Sequence, residues 1–172
     1  LSKATLIGRK SVAEARMKVD NPILKIDAAS DEAVRKINKP VGHYCLDEVV
    51  ENMKAFNGNF VLQTMFLKSD EVDTTAPGLL KKWMEIVRVL RPREIMVYTI
   101  DRETPDKTLG KYTVEEMTAF VQPLIDEGVL TAGQLGLIGS ALLFVCAVGK
   151  FMNGFIADYC NIRRFMATGL LV

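Results

Sequence analysis

Ile23-Leu24-Lys25-Ile26-Asp27-Ala28-Ala29-Ser30-Asp31-Glu32-Ala33-Val34-Arg35-Lys36-Ile37-Asn38-Lys39-Pro40 is the stretch whose reading decides the fold. Its first part is apolar apart from Lys25 and Asp27, and a strand is expected over residues 23–28. Ser30 then offers a side-chain acceptor, and Asp31 and Glu32 add two acids where a helix N-terminus leaves free N–H groups and partial positive charge. A strand running into a capped helix is a βα unit.

Working outward, the same alternation recurs. Val49, Val50, Met53 and Phe56 fall at helical spacing and stop at Asn57-Gly58, a pair suited to a helix end or tight turn. Leu79, Leu80, Trp83, Ile86, Val87 and Leu90 form a second apolar face behind Pro77, which suits a first helical turn. Met117, Phe120, Val121, Leu124 and Ile125 form a third. Ser11-x-x-Glu14 and Thr113-x-x-Glu116 have the spacing of capping boxes. Strands are expected over residues 4–7, 23–28, 60–67 and 94–100. The implied order is strand, helix, strand, helix pair, strand, helix, strand, helix, which is an α/β chain with a parallel sheet. No strand is expected after the helix ending near Asp126, so the sheet reads as incomplete at both ends.

Composition taken over the whole chain looks ordinary: 172 residues, 49% hydrophobic, 25% charged, with 22 Lys plus Arg against 21 Asp plus Glu. A net charge of +1 excludes a whole-chain polyanion binder, and there is no direct nucleic-acid signal. The distribution is far from even. After Gly128 the only charges are Lys150, Asp158, Arg163 and Arg164, so 19 of the 22 basic and 20 of the 21 acidic residues precede it. Residues 129–149 carry none, which reads as a candidate transmembrane helix. Two parts are therefore expected, an α/β part over 1–128 and a membrane-helix part over 129–172.

Sites in such α/β chains gather at the C-terminal ends of strands. Those ends carry Lys25 and Asp27, Gln63 and Thr64, and Tyr98 and Asp101. Asp27 interrupts an apolar strand, where a carboxylate is costly unless paired or hydrogen-bonded. It can face a ligand, or bond the following loop or the next helix. Lys25, on the same side of the strand, can pair with Asp27 or meet an anionic ligand. Asp101-Arg102 reads equally as a surface ion pair. His43, in Pro40-Val41-Gly42-His43, reads as an exposed turn residue. Cys45, Cys146 and Cys160 are too few and too scattered for a disulfide framework or a four-thiolate site. No GxGxxG or GxxxxGK phosphate loop occurs.

Several phrases in the first part, taken in order, resemble the back half of a radical S-adenosylmethionine enzyme barrel, in the branch of iron-sulfur oxidoreductases similar to wybutosine-synthesis enzymes. Leu24-Lys25-Ile26-Asp27-Ala28-Ala29 with Val34-Arg35-Lys36-Ile37-Asn38-Lys39-Pro40 is similar to its "LDAA...F-R-x-I-N-R-P" passage. Leu46 to Met53, Val61 to Leu67 and Val97-Tyr98-Thr99-Ile100-Asp101-Arg102 continue the match, which spans roughly residues 4 to 127. The resemblance implies a partial parallel (β/α) barrel of about four βα units. It also implies S-adenosylmethionine and a [4Fe-4S] cluster as parental cofactors and a small-molecule or RNA substrate. Lys25, Asp27, Gln63, Thr64 and Tyr98 become cofactor- or substrate-facing positions. The cluster of that family is held by CxxxCxxC, which this sequence does not contain, so catalysis is not expected from this chain alone.

The second part resembles a different family. Gly149-Lys150-Phe151-Met152-Asn153-Gly154-Phe155-Ile156-Ala157-Asp158-Tyr159-Cys160-Asn161-Ile162-Arg163-Arg164-Phe165-Met166 is similar to the loop between transmembrane helices two and three of major facilitator transporters, G-x-x-x-D-[R/K]-x-G-[R/K]-[R/K]. Gly154, Asp158 and Arg163 match. Tyr159, Asn161 and Ile162 depart from it, and Asn161 with Arg163 points to the organophosphate:phosphate antiporter branch. This implies a membrane helix followed by a helical stub, with Lys150, Gly154, Asp158, Asn161, Arg163 and Arg164 as the loop motif. Arg163 and Arg164 suit the cytoplasmic side of a membrane. Lys150 is expected to face a cavity, a partner or the interface, or to snorkel. One helix and a stub do not enclose a transport site built from repeated bundles.

The two resemblances meet at Pro123-Leu124-Ile125-Asp126-Glu127-Gly128, which suits either parent. The combined expectation is a radical-enzyme fragment joined to a transporter fragment, with a cytoplasmic α/β part and a membrane-associated tail. A transporter fragment, or a membrane-tethered non-catalytic α/β binding module, are the alternatives.

Overall fold

The computed structural model of the protein describes residues 6–100 and 108–137, within one compact unit ending at Leu137. Its elements in order are α1 (Lys10–Met17), β1 (Ile23–Lys25), α2 (Asp31–Asn38), α3 (Leu46–Lys54), β2 (Val61–Met65), α4 (Pro77–Leu90), β3 (Glu94–Tyr98), α5 (Val114–Asp126), a 3-10 turn (Ala132–Gln134) and β4 (Leu135–Leu137). The four strands form one sheet in the order β1-β2-β3-β4, all parallel. Parallel neighbours need long crossovers, here supplied by the pair α2 and α3, then by α4, then by α5.

Side chains alternate across the sheet. Leu24 on β1, Leu62 on β2 and Ile95 and Val97 on β3 are fully buried. They share one core with Val34, Met53, Trp83, Val87, Val121 and Leu124 from the helices. This is the pairing of apolar helix faces with a sheet that the periodicity predicts. The opposite face carries Ile23, Lys25, Gln63, Met65, Met96 and Tyr98, all half-buried.

Several local signals act as the sequence predicts. Ser30 caps α2, its Oγ accepting from the Ala33 N–H at 3.2 Å. Thr113 and Glu116 form the full capping box of α5, at 3.2 Å and 2.7 Å. Pro77 opens α4, and Asn57 and Gly58 turn the chain with positive φ.

Other expectations are corrected. Ser11 caps nothing: α1 starts at Lys10 behind Arg9, whose side chain makes no capping bond, and the helix buries no residue. Of the strand expected over residues 4–7, Leu6 and Ile7 lie in a turn, and residues 4 and 5 fall outside the described residues. The first paired strand ends at Lys25 rather than at 28. One more ladder bond follows, from the Ile26 N–H to the Gln63 carbonyl at 3.0 Å, and beyond it the Asp27 carboxylate, not the backbone, receives the Met65 N–H.

The largest difference follows α5. A fourth strand exists where none is expected, with Ile95, Met96 and Val97 aligned with Leu135, Gly136 and Leu137. Gly128, at φ +69°, turns the chain, and Leu130, 2% exposed, packs into the α/β core. A short apolar run does not tell a buried strand from a buried helix, so pairing with β3 decides it. Residues 129–137, expected to begin a membrane helix, are turn, 3-10 turn and strand. Among the described residues no helix is long and apolar enough to cross a membrane. The rest of the expected helix and stub, 138–172, lies outside the described residues, as do Lys150, Gly154, Asp158, Asn161, Arg163 and Arg164.

Candidate functional site

The C-terminal ends of β1, β2 and β3 bring Lys25, Gln63 and Tyr98 onto the half-buried sheet face, with Lys25 aligned with Gln63 across the β1–β2 ladder. Asp27 follows at the end of β1 and is 2% exposed. The Lys25 Nζ lies 3.1 Å from the Asp27 Oδ2 and 5.4 Å from the centroid of the Tyr98 ring. Burial pulls the Lys25 ammonium down, but hydrogen bonding to Tyr98 and the Asp27 charge outweigh it, and its pKa stands above the ordinary 10.5. The ammonium is therefore charged at any physiological pH.

Asp27 is held on both oxygens. Its Oδ2 also accepts from the Asn38 Nδ2 at 3.0 Å, and its Oδ1 accepts from the Met65 N–H at 3.3 Å. Of the readings of Asp27 from sequence, the structure shows the bonding one: it pairs with Lys25 and ties the end of β1 to α2 and β2. Tyr44 is buried close by. Burial first, then the negative charges of Asp31 and Asp27, push its phenol up to about 12.

Gln63 supplies the unusual feature. Its Oε1 is buried and has no hydrogen-bond partner, the one such side-chain atom among the described residues. A buried acceptor without a donor is costly, so a further donor is favoured there.

Thr64 does not join this group. Adjacent residues of a strand face opposite sides, and Thr64 points into the helix-covered core, where its Oγ1 accepts from the Trp83 Nε1 at 3.0 Å. His43 is an exposed turn residue, 3.8 Å from Glu48. Asp101 and Arg102 lie outside the described residues.

A second polar cluster has no counterpart in the sequence reading. Between β2 and α4, the Asp73 Oδ1 accepts from the Thr75 N–H at 2.8 Å, the Thr75 hydroxyl at 2.7 Å and the Tyr112 hydroxyl at 3.0 Å. The Lys68 Nζ sits over the Tyr112 ring, 5.0 Å from its centroid. Burial opposes the Asp73 charge, yet these hydrogen bonds prevail and hold its carboxyl below the ordinary value. The cluster straps the loop after β2 to the segment before α5. Asp73-Thr74-Thr75 ahead of Pro77 was the available signal, since short polar side chains bond their own turn. The partner Tyr112 is remote in sequence and was not legible.

Two cavities, of about 490 Å³ between α3 and α4 and about 170 Å³ beside His43 and Cys45, contain none of Lys25, Asp27, Gln63 or Tyr98. No cluster of His, Cys, Asp and Glu able to hold a metal occurs among the described residues.

No protein-family profile matches the chain, and no solved structure does. Curated relatives match pieces of it. The glycerol-3-phosphate transporter of Bacillus subtilis is 35% identical over 63 residues, 37% of this chain and 14% of that protein. The probable hexose phosphate transport protein of Chlamydia muridarum is 38% identical over 61 residues, 36% of this chain and 13% of that protein. UPF0026 protein MJ1312 of Methanocaldococcus jannaschii is 26% identical over 122 residues, 69% of this chain and 37% of that protein. The chain thus spans about a seventh of those transporters and just over a third of the archaeal protein. The Bacillus subtilis match and the archaeal match together exceed this chain's length, so some residues belong to both.

Proposed function

We propose that the α/β unit is an arc of a radical S-adenosylmethionine-type barrel whose half-buried face binds a small ligand with an anionic group. The observation that carries this is the Lys25 ammonium, fixed between Asp27 and Tyr98 beside the unpartnered Gln63 Oε1. The strand order supports the barrel reading, because each parallel strand adds next to its predecessor with no reversal. Lys25 supplies the charge, Gln63 accepts a donor, Tyr98 offers an aromatic face, and Asp27 holds the lysine in place.

S-adenosylmethionine fits this donor set through its carboxylate and ammonium groups. When bound, it supplies an activated sulfonium. The iron-sulfur cluster does not fit: Cys45 is the one cysteine among the described residues, and the sequence holds no CxxxCxxC. No radical step is assigned to this chain. Calorimetric titration with S-adenosylmethionine tests the reading, with binding expected and Lys25→Ala weakening it about tenfold, the loss of one charge-assisted contact. Absence of binding, or equal binding by Lys25→Ala, overturns it.

We further infer a composite chain, in which a transporter-like segment follows the α/β unit and associates with lipid. The identity to glycerol-3-phosphate and hexose phosphate transport proteins over 61 to 63 residues supports this, as do the Gly154, Asp158 and Arg163 pattern and the uncharged run 138–149. Flotation of the full chain with lipid vesicles is the expected outcome, and recovery in the aqueous fraction sinks it. A read of unamplified DNA crossing residues 123–134 tests whether the joint is natural, and its absence would remove the natural-fusion version.

A further inference from the structure

We propose that Asn38 is a positioning residue for the Lys25 ammonium, acting through Asp27. This rests on Lys25 being the ligand-facing group assigned above. At the end of α2, Lys39 takes a left-handed conformation, φ 41° and ψ 58°, and its N–H bonds the Arg35 carbonyl. Pro40 follows and cannot continue a helix. Asn38 is therefore held as the last helical residue, with its amide delivered to the end of β1.

There the Asn38 Nδ2 donates to the Asp27 Oδ2 at 3.0 Å, the same oxygen that faces the Lys25 Nζ at 3.1 Å. Among the described residues, the other carboxylate oxygen has the longer bond from the Met65 N–H, at 3.3 Å. Two donors from two elements thus fix the plane of the carboxylate. That plane fixes where the lysine charge sits. Without Asn38 the carboxylate turns about its Cβ–Cγ bond and Oδ2 leaves the ammonium. The groups around Lys25 are Asp27 beyond β1 and Tyr98 from β3, with Tyr44 buried next to Asp27. Once Asp27 is released, Tyr98 alone opposes the burial of the charge.

The chemistry is specific to an amide at position 38. Its side chain donates without adding charge, so it orders Asp27 without competing with Lys25 for it, whereas a lysine or arginine there would take the carboxylate for itself. Asn38 stands in the stretch similar to the radical S-adenosylmethionine passage, outside the positions which that resemblance turns toward a ligand. Its role comes from the contact with Asp27, eleven residues away in sequence.

The test measures the titration of Lys25 in the full chain by competitive acetylation and mass spectrometry across the alkaline range, without any ligand. Asn38→Ala, and Asn38→Leu which keeps the volume, are compared with Asp27→Asn and with the Asp27→Asn/Asn38→Leu double variant. Either Asn38 variant is expected to lower the Lys25 midpoint and raise its reactivity at fixed pH about threefold to tenfold, a shift of up to one pH unit. In the Asp27→Asn background, removing Asn38 is expected to add nothing. A Lys25 midpoint unchanged in both folded Asn38 variants overturns the proposal, as does a shift that persists in full without Asp27. Failure of S-adenosylmethionine to bind while this coupling is present would sink the ligand reading alone.

Discussion

At the residue scale, Tyr44, Lys25 and Gln63 each carry a measurable consequence. The folded pKa of Tyr44 is raised to about 12 and that of Lys25 stands above its ordinary value. A raised folded pKa gives stabilisation that is complete below the unfolded value and lost as pH rises through the folded one. Both groups therefore destabilise the fold at alkaline pH, Tyr44 between about 10 and 12 and Lys25 from about 10.5 upward. Urea unfolding at stepped pH should show a shallower alkaline loss for Tyr44→Phe and for Lys25→Met. Absorbance titration should find a phenol with a midpoint near 12 that is lost in Tyr44→Phe. Gln63→Leu removes a buried acceptor with no donor. It should raise stability by about 1 kcal/mol in urea unfolding.

At the scale of elements, caps and turns separate the signals the fold uses from those it leaves idle. Thr113 and Ser11 stand in the same sequence pattern, but Thr113 bonds the first turn of α5 while Ser11 sits inside exposed α1. Thr113→Ala should cost about 1 kcal/mol and Ser11→Ala nothing measurable, by thermal or urea unfolding. The difference is tertiary: α5 buries Met117, Val121 and Leu124, which fixes where it starts, whereas α1 buries nothing. Gly58 is constrained more tightly. Its φ is +75°, and a Cβ there would collide with the Arg91 carbonyl at the end of α4. Gly58→Ala should cost about 2 kcal/mol or more, seen as a lower urea midpoint with unchanged slope.

For the molecule as a whole, the segment after Gly128 is where composition and fold part company. Leu130 lies in the core and Leu135–Leu137 extends the sheet, so this segment belongs to the α/β unit despite its membrane-like composition. Leu130→Ala should destabilise that unit by about 2 to 4 kcal/mol in urea unfolding. A residue committed to lipid would leave the transition unchanged. The sequence by itself determined the alternation of strands and helices, the caps at Ser30 and Thr113, the helix faces that cover the sheet, and the placing of Lys25, Asp27, Gln63 and Tyr98 at strand ends. These are local or periodic properties, set by backbone geometry and by side-chain spacing of two or 3.6 residues. Only the tertiary structure decided that Asp27 is shared by Lys25, Asn38 and Met65, that Thr64 faces the core while its neighbour Gln63 does not, that Asp73 meets Tyr112, and that Leu135–Leu137 is a strand. Apart from the Lys25–Asp27 pair, two residues apart and legible in the strand alternation, these depend on partners far away in sequence, and an apolar run or a buried carboxylate carries no local mark of which partner it will find.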